Sequence, residues 1–219
     1  MKTADHLLLG QYLVERCGTP HLRCHRRAFL LGCVEPDYNV FSYLRGMRYY
    51  EKFRGHNAEN SSAFLSHCFT DFEGHTLHSA WDYFRLGTMI HYAADAFTAP
   101  HNNFWTGTLS EHCAYEAALH QKFERMLATA HPEQIPYWEY ALLHRSYCRE
   151  AHGMETDFQY ILTACLSLLK KYSLQIAEPK EIAMKILITT DWYKPVINGV
   201  VTSVTNLRRL RGAGLMSES

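Results

Sequence analysis

The sequence predicts an all-α domain built from several packed helices, and three observations predict it. Apolar residues recur at helical spacing in six stretches, turn-forming clusters separate those stretches, and a single short run near the carboxyl end has strand character. The helical stretches are Leu8 to Val14, Ala63 to Phe69, Trp81 to Ala94, Tyr115 to Leu127, Trp138 to Tyr147 and Phe158 to Tyr172. Between them lie Cys17-Gly-Thr-Pro20, Glu35-Pro-Asp37, Asn57 to Ser62, Ala99-Pro-His101 and His131-Pro132, all rich in residues that end helices or open turns. Asn60, Ser61 and Ser62 are expected to cap the stretch that follows them.

After Pro179 the texture changes. Met184 to Thr190 is a β-branched apolar run, Asp191 to Gly199 reads as a loop, and Val200 to Leu210 as the start of a helix. The segment from Met184 to Val204 resembles the opening strand, glycine loop and helix of group 1 (GT-B type) glycosyltransferases. Such an enzyme needs two Rossmann-like halves, so the expectation is a helical domain over residues 1–177 and a linker with a truncated, non-functional fragment over 178–219.

At 219 residues the chain can bury one sizeable core. Its 22 basic and 22 acidic side chains cancel, which removes the global pull toward nucleic acid or anionic membrane that a strongly basic protein has. Seven cysteines form no C-x-x-C pair, and an odd number does not make a closed disulfide framework. No stretch approaches the roughly 20 apolar residues of a membrane span, and no signal peptide is readable, so a cytoplasmic location is expected. Nothing in the sequence fixes an oligomeric state.

Histidine stands out: the chain has 14, eight of them between His56 and His120. His91 and Asp95 are four apart on one expected helix, which puts both on one face a turn apart. His112 and Glu116 repeat the spacing on the next helix, and His101 follows Pro100 between them, where a loop can aim it inward. One His-x-x-x-Glu pair is ordinary helix decoration. Two such pairs on consecutive helices, with a histidine after the intervening proline, point to a metal site.

These residues carry a second resemblance. His91-Tyr-Ala-Ala-Asp95-Ala-Phe-Thr-Ala-Pro-His101, followed by His112-Cys-Ala-Tyr-Glu116, is similar to the metal-binding core of bacterial zinc-dependent phospholipases C. Leu31-Gly-Cys-Val-Glu-Pro-Asp37-Tyr38 resembles the segment that supplies an aspartate ligand there, Gly55-His56 the histidine after it, and Asp5-His6-Leu7 the early histidine. The order is kept from about residue 5 to residue 120.

The resemblance implies a multi-helix bundle of the phospholipase C and P1 nuclease type that uses zinc. Asp37, His56, His91 and Asp95 would hold a first ion, and His101, His112 and Glu116 a second. His6 and a bridging Asp95 would serve a third. In secreted members that third ion also takes the free amino terminus of a tryptophan, and this chain has no tryptophan before His6. Two zinc ions are therefore expected. Asp37 would double as ligand and proton acceptor. The implied reaction is hydrolysis of a phosphodiester, most directly a glycerophospholipid. His67 is the fallback for the second upstream histidine, and no role follows for His21, His25, His75, His78 or His120. An S1/P1-type single-strand nuclease and a non-enzymatic zinc-stabilised binding domain are the alternative readings.

Overall fold

The computed structural model describes residues 1–39, 58–150 and 153–173, and among these the chain is helical with no strand. Eight α-helices follow in order: α1 Thr3–Cys17, α2 Pro20–Cys24, α3 Arg26–Tyr38, α4 Ala58–Phe72, α5 Ala80–Ala96, α6 Leu109–Thr129, α7 Tyr140–Tyr147 and α8 Met154–Ser173. Short 3-10 turns occupy Ala99–His101 and Pro132–Gln134. The chain divides after Ile176. The run at 184–190 and the glycosyltransferase-like segment lie outside the described residues, as does His56.

α5 is the spine. Its start is set by a capping box in which the Ser79 side chain accepts from the Asp82 N–H while the Asp82 carboxylate accepts from the Ser79 N–H. Every residue from Leu86 to Ala96 is then buried, because α1, α3, α4 and α8 all pack on it. A stretch covered on all sides must be apolar nearly throughout, and Leu86 to Ala96 is except at Thr88, His91 and Asp95. Leu9, Leu13, Phe29, Leu65, Phe123 and Ile161 fill the surrounding core, each contributing about 1.5–3 kcal/mol by burial.

α3 crosses α5 at backbone contact. A Cβ on Gly32 would fall on the carbonyl oxygen of Phe84, and one on Gly87 on the carbonyl oxygen of Phe29, so only glycine fits at either position. This crossing carries the last turn of α3 past the carboxyl half of α5.

Three local expectations are corrected. Glu35-Pro-Asp37 is no turn: Pro36 lies inside α3, buried, and the helix runs to Tyr38. One missing N–H near a helix end is outweighed by packing against α5. Arg26–Tyr38 as a whole, together with α2, was not among the expected helices. Asn60, Ser61 and Ser62 lie inside α4 rather than before it, and the Ser61 and Ser62 hydroxyls donate back to the carbonyls of Ala58 and Glu59.

Candidate metal centre

His91 and Asp95 project from the most deeply buried part of α5, at 0 and 1 % exposure. His6 comes from the first turns of α1, and Asp37 from the last turn of α3. His101 closes the 3-10 turn after α5. His112 and Glu116 stand one turn apart on α6, whose start is fixed by a capping box between Thr108 and Glu111.

These elements gather the side chains into two adjoining groups. In the first, one ligand atom each from His6, His91 and Asp95 lies within 4.8 Å of the others. Nε2 of His6 is 3.2 Å from Asp95 Oδ1, and Nε2 of His91 is 3.4 Å from Asp95 Oδ2. The His6 and His91 rings stack with centroids 3.8 Å apart. Asp37 joins this edge, with Oδ1 3.7 Å from His91 Nε2. In the second, His101, His112 and Glu116 meet the same 4.8 Å criterion. Oε1 of Glu116 is 3.0 Å from His112 Nε2 and 3.5 Å from His101 Nε2. Asp95 joins the groups, its Oδ2 lying 3.6 Å from His101 Nδ1. His67 is not among them: it is exposed on α4 beside Asp71.

The α-amino group of Met1 also enters the centre, a donor that sequence spacing did not reveal. It lies 2.8 Å from Asp95 Oδ1, 3.0 Å from Glu116 Oε1 and 3.5 Å from His101 Nε2. Burial works against its charged form, but the Asp95 and Glu116 carboxylates prevail and raise its pKa to about 10. Burial equally opposes the charge of Asp95, yet His101, the amino terminus, His6 and His91 hold its carboxyl well below the usual carboxylate range. Glu116 is likewise depressed, burial being overcome by hydrogen bonds from His101 and His112. Burial and the neighbouring His91 push His6 down to about 4, and burial lowers His101.

Asp95 and Glu116 thus favour the ionised carboxylate and His6 and His101 the neutral imidazole, the forms that ligate metals. Two details fit a cation more closely. His91 Nδ1 donates to the carbonyl of Cys33 at 2.9 Å, which fixes the tautomer and turns Nε2 toward Asp37 and Asp95. Both ring nitrogens of His6 are buried without a hydrogen bond, although Asp95 lies within 3.2 Å. Leaving such a group unsatisfied costs about 1–3 kcal/mol, which coordination would relieve.

A family model described as zinc dependent phospholipase C matches residues 5–172. The chain belongs to that family. Zinc is the cofactor, and the nitrogen and oxygen donors gathered here suit it. The family and the grouped ligands make this a zinc-dependent hydrolase. Comparisons with curated proteins and with solved structures gave no match.

Residues outside the expected set position the candidate ligands. Asp157, fully buried on α8, accepts from the Ala99 N–H at 2.7 Å and from the hydroxyls of Tyr115 and of Tyr147, the latter at 2.9 Å. Ala99 is two residues before His101 and Tyr115 one before Glu116, so a single carboxylate fixes both carriers of the second group. Asn102 steadies the same turn, donating to the carbonyls of Ala96 and Thr98 at 2.9 Å each. Nδ1 of His120 donates to Asp5 at 2.6 Å, tying α1 to α6. The Asp157 contacts with Ala99 and Tyr115 span 58 and 42 residues and the His120–Asp5 contact 115, so no local spacing announces them.

Proposed function

We propose that the chain is a phospholipase C-type phosphodiesterase that hydrolyses a glycerophospholipid and releases its phosphorylated headgroup. One observation carries this reading: two three-residue ligand groups adjoin across Asp95 in a buried centre, the arrangement needed to treat two sides of one phosphoryl group. Bound zinc would supply an activated water near neutral pH and electrostatic stabilisation of the phosphoryl oxygens.

The chain's own residues do the rest. Asp95, kept ionised, holds the two groups at fixed separation. Asp37, at the edge beside His91 and only partly buried, is placed to take the proton of the attacking water. The Cys33 carbonyl keeps His91 in its ligating tautomer. The Met1 ammonium and His6 flank Oδ1 of Asp95 and help to keep that carboxylate ionised. The cysteine pattern supports a reducing, cytoplasmic setting for this activity.

Zinc-loaded protein assayed on a chromogenic phosphocholine ester and on single-stranded DNA tests the reading. Turnover of the ester with little of the DNA is expected. Preference for DNA would make it a nuclease, and zinc without turnover on either would make it a binding domain.

A further inference from the structure

We propose that His75, His78 and Asp82 form a second, peripheral metal site for a divalent transition cation such as zinc, separate from the central one. One ligand atom from each of the three lies within 4.8 Å of the others, the same closeness that marks the two central groups. Asp82 lies nine residues before His91 on α5, about 13 Å along the helix axis, so the two sites share no ligand.

The carboxylate divides its work. Oδ2 of Asp82 accepts from the N–H groups of His78 and Ser79, at 3.2 and 2.9 Å, and from the Ser79 hydroxyl at 2.7 Å. Oδ1 faces His75 Nε2 at 3.2 Å, on the side away from the cap. Three donors on Oδ2 hold the carboxylate in place and leave Oδ1 turned toward His75. The positive end of the α5 dipole disfavours a cation here, and a full negative charge at the same point offsets it.

The loop holds both histidines beside Asp82. Nδ1 of His78 faces Asp82 Oδ2 at 3.8 Å and lies 2.8 Å from the Thr76 carbonyl, which can only accept, so a cation at Nδ1 would replace that hydrogen bond and one at Nε2 would leave it in place. His75 follows Gly74, whose φ of 70° is the left-handed conformation that turns the chain out of α4. Its ring stacks against Phe72. Between the histidines the side chain of Leu77 is buried at 1 % exposure and pins the loop. Two imidazole nitrogens and one carboxylate oxygen on a fixed loop, half-open to water, make a three-ligand site of the kind zinc, nickel or copper accepts.

The test compares metal binding by the full chain and two variants. After equilibration with excess zinc and desalting, wild type is expected to retain one zinc ion per chain more than His75→Ala/His78→Ala. Its melting temperature should also rise further on zinc addition. His78→Gln, a change at an exposed position, should weaken cobalt binding at this site by about tenfold or more. Equal zinc content in wild type and the double variant, or equal cobalt affinity in His78→Gln, overturns the proposal. The outcome does not depend on the central zinc reading, because an empty centre would lower all three proteins alike and leave their difference unchanged.

Discussion

The two oxygens of Asp95 face different partners: Oδ1 the Met1 amine and His6, Oδ2 His91 and His101. Asp95→Asn removes the one charge that every central cation would share, so zinc content and phosphodiester turnover should fall together in elemental analysis and assay. Asp37→Asn should behave otherwise. Among the described residues Asp37 lies 3.7 Å from His91, a member of the first group, so turnover should drop by about tenfold or more while most of the zinc stays. Asp157 is not among the expected ligands, yet it fixes the turn of His101 and the helix of Glu116. Asp157→Asn turns an NH2 group toward donors and should cost about 1–3 kcal/mol in denaturant unfolding, with zinc lost first from the second group. At this scale the sequence exposed what is local. His91 with Asp95, and His112 with Glu116, are readable because four residues make one helical turn. The Met1 amine, Asp157 and the Asp5–His120 contact are long-range pairings with no period to betray them.

α5 was legible as an element because its apolar residues run almost unbroken, and His91 and Asp95 stood out against that run because a buried charge needs partners. α3 was not. Pro36 looks like a stop signal in isolation, and only the close crossing with α5 shows why the helix continues through it. That crossing supplies a prediction. Alanine at Gly87 would gain up to about 1 kcal/mol in helix propensity, but its Cβ would fall on the Phe29 carbonyl. Overlap with rigid backbone costs about 1–3 kcal/mol, and neither helix can give without parting Asp37 from His91. Gly87→Ala should therefore lower the melting temperature and reduce turnover more than zinc content. An unchanged melting temperature would mean that the two helices are not held at backbone contact.

For the whole molecule, chain balance and fold class followed from composition and period, whereas the extent of the working unit follows from where the ligands sit. Every described candidate ligand and positioning residue, from His6 to Asp157, falls within residues 1–176, and the family match ends at residue 172. Among the described residues no helix is long and apolar enough to cross a membrane, and the core is closed by α8 against α5. The stabilising burial of Ile161, Leu162, Cys165 and Leu169 is complete before that boundary. A chain ending at Ile176 should therefore fold, keep the zinc content of the full chain and retain its phosphodiester turnover within about twofold, a change worth about 0.4 kcal/mol. Removing α8 as well should abolish both, because it takes Asp157 away from the turn of His101 and uncovers α5. If the chain ending at Ile176 precipitates or loses zinc while the full chain does neither, residues 177–219 contribute to the stability of the helical unit.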